Sequence, residues 1–517
     1  MMRKLIIVFT LCSVALYGCV TNPVTGKREL GLVPESYELQ IGSKQYVPSR
    51  QMQGGDYVVD PELTKYVNDV GQRLAAVSDR KLPYEFVVLN NSVPNAWALP
   101  GGKIAVNRGL LTELNNEAEL AAVLGHEIVH AAARHGAKGM ERGILLQGAV
   151  TLAGIASSGS NYENIAVRGS QTAAGLINQK YGRNAESESD LYGMIYMSRA
   201  GFDPRAAISL QEVFVRLSES EGHETDWLSG LFASHPPSQQ RVEANRATAK
   251  TLPESGELGV QRYKEKIARL IRTKDDYHAF DMGSKALSEG KTEEALSLAQ
   301  QAILGEPNEG QFHALVGDVY MKQQKYQNAL ASYNKAVDLN SEFFYFYVQR
   351  GLNKQQLGDQ QGARTDLERS TKLLPTAPAL NALGNISLAQ GNRREAMQYF
   401  KDASVSNSEP GRQAALSFVK LDMHENPGSH IKTHVSLDNN RYVVITVTNP
   451  TPLPVSGVKV KIRYPDPQGK ALEMAKEVSG ILSSGKSTIV ETEIGPVDGS
   501  EALRYIRVNV HKANVVE

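Results

Sequence analysis

Three patterns of apolar and polar positions follow one another along the 517 residues. From residue 20 to about 255, segments of helical character alternate with one strand-like stretch. The segment ELAAVLGHEIVHAAARHG (119–136) predicts a helix in which His126, Glu127 and His130 stand among small apolar residues. Another apolar run, GILLQGAVTLAGIA (143–156), is too short for a bilayer and interrupted by glycine, so it predicts a packed helix. From about 276 to 408 the pattern repeats. Gly283, Gly317, Gly351 and Gly384 are spaced 34, 34 and 33 residues apart, and Ala295, Ala329, Ala363 and Ala396 each follow twelve residues after their glycine. Small residues at these positions let two helices of a unit approach, and aromatics such as Tyr320, Tyr333 and Phe400 fill the space between units. From about 428 to 517 the period changes to two. RYVVITVTNPTPLPVSGVKVKIRYPDPQGK, STIVETEIG and LRYIRVNVHK alternate apolar with polar and are punctuated by proline and glycine, which predicts about six strands.

These patterns predict a multidomain chain. A mainly α domain with a small edge sheet spans 19–255, an α-solenoid spans 276–408, and an all-β sandwich spans 428–517. The solenoid resembles the tetratricopeptide repeat (TPR), with about four units, whose stacking leaves a concave groove that usually holds peptides or proteins. The β region resembles an immunoglobulin-like sandwich. It carries no catalytic constellation and reads as an interaction or spacing module.

Charge narrows the picture. Lys+Arg and Asp+Glu both number 56, so nothing in the overall charge points to nucleic acid. The N-terminus sets the compartment. Basic MMRK precedes LIIVFTLCSVALYG, a run too short to span a membrane comfortably, and residues 1–18 read as a signal peptide. Leu16-Tyr17-Gly18-Cys19 resembles a bacterial lipobox, in which cleavage leaves Cys19 as a lipidated N-terminus; the alternative is a plain signal with an incidental cysteine. Each buried acyl CH₂ contributes about 0.8 kcal/mol, so several chains would hold the protein firmly on a membrane. Val20 stands where an aspartate commonly signals inner-membrane retention, which favours the outer membrane. The other cysteine, Cys12, lies in the signal, so the processed chain would have no disulfide.

The chemistry sits in the first block. His126 and His130 are i and i+4, share one helix face and can reach one ion, while Glu127 is one step round, placed to accept a proton rather than to ligate. The bland alternative is a helix with hydrogen-bonded buried histidines, which would need partners for every polar group. Catalytic zinc commonly takes three protein ligands. A third histidine at the metzincin spacing is missing, because Gly136 and Ala137 follow His135. In YGRNAESESDLYGMIYMSRAGFDP (181–204), Glu186 can ligate and Asp190 can accept a hydrogen bond from a ligating histidine; with Glu188 they could equally be the solvated acidic start of a helix.

The motifs together resemble the HtpX-like and CAAX-prenyl-protease-like gluzincins, metallopeptidase family forty-eight, in their periplasmic TPR-bearing form. TNPVTGKREL follows the lipobox, NAWALPGGKIAVNRGLL (95–111) precedes HEIVH, AGFDP follows the acidic helix, and SHPPSQQR (234–241) comes last. The likeness covers about 20–250 and extends through the repeats to about 408. It implies one zinc per chain held by His126, His130 and Glu186, with Asp190 behind and Glu127 as base. The family usually has alanine where Ser189 stands, and its TPR-bearing form lacks the β tail. The stretch 95–106, with Asn95, Ala96, Trp97 and Ala98, predicts an edge strand to which an extended peptide can add by main-chain hydrogen bonds. His235 reads as an oxyanion stabiliser, as a resting occupant of the open zinc position, or as a loop residue; Arg241 could act similarly. The expectation is a lipid-anchored periplasmic zinc endopeptidase that degrades misfolded or misassembled envelope proteins. Its TPR groove would meet such clients or the outer-membrane assembly machinery. The alternative is a non-enzymatic TPR assembly factor with a vestigial site, against which the intact Glu127 speaks.

Overall fold

The computed structural model describes residues 19–146, 181–219, 235–466, 468–497 and 499–516. The signal segment 1–18 lies outside them. So does the run 143–156 beyond the helix that ends at Leu146. The chain divides into two compact units, 1–374 and 375–517.

The first unit opens with a two-stranded ribbon, β1 (Cys19–Thr21) and β2 (Arg28–Leu30), followed by α1 (Glu35–Met52) and α2 (Pro61–Ala75). Strands β3 (Glu85–Leu89), β4 (Ala96–Leu99) and β5 (Lys103–Asn107) form a sheet of order β3-β5-β4, with β3 parallel and β4 antiparallel to β5. Five strands therefore stand where one was expected. They are three to five residues long, too short to display a period-two pattern. The β4–β5 turn runs through Gly101 and Gly102, both at positive φ (84° and 82°), which a residue with a Cβ rarely adopts.

Helices α3 (Glu117–Ala132), α4 (His135–Leu146), α5 (Arg183–Arg199), α6 (Ala206–Glu219) and α7 (Gln239–Ala249) complete the globule around the sheet. Asn116 caps the start of α3: its Oδ1 accepts from the Glu119 amide at 2.9 Å, and Glu119 accepts from the amide of Asn115, the residue before the cap, at 2.7 Å. All but one residue of α3 is buried, so it runs through the core rather than over it.

Three helical hairpins follow in the same unit: α8 (Lys274–Ser288) with α9 (Thr292–Gly305), α10 (Gly310–Lys322) with α11 (Tyr326–Leu339), and α12 (Phe344–Gln356) with α13 (Gln360–Leu373). The repeat glycines lie where helices touch; a Cβ on Gly317 would stand 2.5 Å from the Tyr333 ring. Hydrogen bonds tie these hairpins to the globule. Gln51 donates to the Glu342 carbonyl and accepts from the Phe344 amide (2.7 and 2.8 Å), Gln311 donates to the Gly54 carbonyl (2.8 Å), and Asn90 and Tyr277 both donate to buried Glu309 (2.9 and 2.8 Å).

The second unit holds a fourth hairpin, α14 (Ala377–Ala389) with α15 (Arg393–Ala403), then α16 (Glu409–Asp422) and a strand-rich region. There β6 (Lys432–Leu437), β7 (Val443–Thr448) and β11 (Ser487–Glu491) form one antiparallel sheet of order β11-β7-β6. In the other sheet β8 (Val455–Pro465) carries β12 (Arg507–Val515) on one edge, with β9 (Ala471–Glu477) and β10 (Ile481–Leu482) on the other. Val443, Ile445 and Val447 meet Val458, Val460 and Ile462 in one core between the sheets. Among the described residues the region has seven strands where about six were expected. The alternation does not announce β9, whose sequence ALEMAKE is largely exposed and lacks an apolar face.

Candidate metal centre

Two helices build the site. Gly125 of α3 faces Gly193 of α5, and a Cβ on Gly125 would stand 3.2 Å from the Gly193 carbonyl oxygen. This close crossing brings the HEIVH face of α3 against the acidic turn of α5. One donor atom each from His126, His130, Glu186 and His235 lies within 4.8 Å of the others. His126 Nε2 is 3.0 Å from His130 Nε2 and 3.3 Å from His235 Nδ1. Glu186 lies 3.5 Å from His126 Nε2, 3.4 Å from His130 Nε2 and 3.2 Å from His235 Nδ1. Glu127 stands beside this group rather than within it. Its Oε1 is 3.6 Å from His235 Nε2, and its Oε2 is buried without a hydrogen-bond partner among the described residues.

A shell of polar contacts fixes the donors. His126 Nδ1 lies 2.9 Å from Asp190 Oδ1, which leaves Nε2 facing the cluster. Asp190 is gripped by Arg241 through Nε and Nη2, both at 2.7 Å, and Arg241 Nη1 also reaches Glu186 at 3.1 Å. Arg241 thus braces both carboxylates, a firmer place than its sequence position suggested. Ser189 occupies the alanine position fully buried, its hydroxyl without a protein partner.

Burial and charge set the protonation states. Burial lifts the Glu127 carboxyl against the opposing pull of His235 and His126. Burial holds His130 well below the ordinary histidine range. Burial also works against ionised Glu186 and Asp190. The imidazoles around Glu186, and Arg241 with His126 around Asp190, outweigh it and hold both carboxyls below their usual range. At His126 burial opposes the charge, but bonds to Asp190 and Glu186 prevail and push its pKa up to about 10. The centre is therefore built to hold positive charge, as a proton or as a cation.

Strand β4 runs beside α3 at the edge of its sheet. The Asn107 amide donates to the Asn95 carbonyl at 2.8 Å, and this register turns the main-chain groups of Ala96 and Ala98 away from β5. Trp97 points to the opposite face, against Tyr46. Ala96, His126, Glu127, Ser189 and His235 line one cavity of about 40 Å³. His135, Glu188 and Tyr181 also gather here, although the motif reading gave none of them a role in the site. The signals available were a histidine at the end of HEIVHAAARH and an aromatic five residues before Glu186.

An HEIVH helix crossed by a glutamate-bearing helix gathers a donor set that could hold one metal ion. Residues 61–249 match the family described as Peptidase family M48, and 317–358 and 377–404 match those described as TPR repeat and Tetratricopeptide repeat. The chain carries a peptidase M48 domain followed by TPR repeats. It is 26% identical over 339 residues to the beta-barrel assembly-enhancing protease of Escherichia coli K12 (59% of this chain, 67% of that one) and 32% identical over 203 residues to its Vibrio cholerae counterpart (38% and 40%). It is 33% identical over 241 residues to the mitochondrial metalloendopeptidase OMA1 of Schizosaccharomyces pombe (45% and 66%). The chain spans between 40% and 67% of the length of these relatives.

Proposed function

We propose that this chain is a zinc metalloendopeptidase of the bacterial envelope. His126, His130 and Glu186 would hold the metal, Asp190 would orient His126, and Glu127 would act as base. One observation carries the reading: four donors converge beside a buried glutamate, one of whose oxygens has no hydrogen-bond partner among the described residues. Zinc–nitrogen bonds of about 2.0–2.1 Å place tetrahedral donors about 3.3 Å apart. His126 Nε2 lies 3.0 to 3.5 Å from His130, His235 and Glu186, and all four donors lie within 4.8 Å of one another. Bound there, zinc would supply the Lewis acidity that activates water and polarises the scissile carbonyl. A substrate strand would add to the outward groups of Ala96 and Ala98 and lay its carbonyl beside Glu127.

The placement of His235 favours a resting ligand over an oxyanion stabiliser. Its Nδ1 stands among the donors, and its Nε2 faces Glu127, where the attacking water must come. Substrate would enter by displacing it. His235→Ala should keep one zinc per chain and cleave unfolded protein faster, on the order of tenfold if the closed form is favoured ten to one. A loss of about a hundredfold would instead mark an oxyanion role, and zinc-free wild-type protein would sink the whole proposal.

The relatives' names supply the setting. Those called beta-barrel assembly-enhancing proteases support a periplasmic role in outer-membrane protein quality control. By the same reading the TPR groove receives misassembled envelope proteins or the outer-membrane assembly machinery. The two β sheets form an immunoglobulin-like spacing or docking module. Cys19 would anchor the chain by lipid to the outer membrane; among the described residues, no helix is long and apolar enough to cross one. Cys19→Ser should shift the protein from the membrane fraction to the soluble periplasmic fraction or leave it unprocessed. Unchanged size and outer-membrane fractionation would contradict the anchor.

A further inference from the structure

His126 Nδ1 is steadied by Asp190, but Nδ1 of its partner His130 meets an imidazole rather than a carboxylate. His130 Nδ1 instead lies 2.9 Å from Nδ1 of His135, and Nε2 of His135 lies 3.2 Å from Glu188 Oε2. Both histidines are buried, and Glu188 is about one-fifth exposed at its far end. Helix geometry alone would not produce this contact. A residue five positions along an unbroken helix stands about 140° round from its starting face. The chain breaks α3 after Ala132, passes Arg134 through the left-handed region at φ 63°, and restarts at His135. That conformation is uncommon for a residue with a side chain. It is held from outside: Arg134 donates to Glu38 and to the Val33 carbonyl, and buried Glu38 also pairs with Arg80 at 3.0 Å. On the other side the Tyr181 ring stacks on His130, with centroids 4.0 Å apart and planes 30° apart.

We infer that His135 and Glu188 form a hydrogen-bond relay that orients His130 as a metal ligand. The proton assignment has one consistent solution. If His130 ligates through Nε2, its Nδ1 carries the hydrogen and donates to His135 Nδ1. The Nδ1-to-Nδ1 contact has room for one proton, so neutral His135 carries its own on Nε2 and donates it to Glu188. Each ligating histidine is then backed by a carboxylate, His126 directly through Asp190 and His130 through an imidazole. His135 and Glu188 are positioning residues. The inference rests on the zinc reading above and adds a role that HEIVH and Glu186 do not contain.

The test uses the purified full chain, with zinc affinity measured against a competing chelator and metal-free unfolding measured alongside. His135→Ala should weaken zinc binding about 10–100-fold. Glu188→Gln, a change at a partly exposed side chain that should not disturb folding, should weaken it in the same direction by less. His135→Gln should recover part of the loss, because its amide can accept from His130 and donate to Glu188. A structural role would show instead as a lowered metal-free unfolding midpoint with no rescue by Gln, and that result would overturn the relay. So would wild-type affinity in both His135→Ala and Glu188→Gln. Failure of the wild-type chain to bind zinc is a separate result that removes the zinc reading itself.

Discussion

Glu127→Gln is expected to bind zinc as the wild type does and to lose proteolysis by about 10²–10⁴-fold, the contribution of a positioned general base. The expectation follows from where Glu127 stands. It shares the cavity with His126 and Ala96 but is absent from the converging donors, and its Oε2 has no partner among the described residues. Burial raises its pKa, which makes it a better proton acceptor than an exposed carboxylate. In the reaction it would take a proton from the attacking water and return it to the leaving amine. Glutamine preserves size and shape but cannot take that proton. Single-turnover cleavage of an unfolded protein, with zinc measured on the same sample, is the check. Wild-type rates in the variant would show that another group serves as base. Loss of zinc together with activity would show that Glu127 ligates after all.

How far the sequence foretold the site depended on how local each signal was. The pair His126 and His130 was legible because helical spacing alone puts them on one face. The repeats were legible because glycine and alanine recur at a fixed period. Glu186 could be proposed only with its helix, since nothing in AESESD separates an ion ligand from a solvated acid. Contacts that depend on how α3 and α5 cross were hidden. The Gly125–Gly193 approach and the bidentate grip of Arg241 on Asp190 join residues 51 or more positions apart. His135 was hidden for a different reason. Its role depends on a left-handed Arg134, and no period in the sequence announces such a break.

Glu186→Gln is expected to remove zinc and thereby reduce proteolysis to background. The carboxylate is the anionic donor among the four, and it stands 3.2 to 3.5 Å from all three imidazoles. The amide keeps the shape but brings no charge to offset a divalent cation in a buried site. The clearest readout is linkage. Zinc at a thousandfold excess over its Kd should stabilise the wild-type chain by about 4 kcal/mol, because it binds the folded form alone. The same addition should barely move Glu186→Gln, while Glu127→Gln should show the full shift despite being inactive. Metal-free stability should suffer less, because Arg241 keeps both of its bonds to Asp190 when its contact to Glu186 is lost. Should Glu186→Gln retain the full zinc-linked shift, the third ligand would have to be His235, whose Nδ1 lies 3.3 Å from His126 Nε2. In that event the double variant with His235→Ala, and not Glu186→Gln alone, would abolish zinc binding.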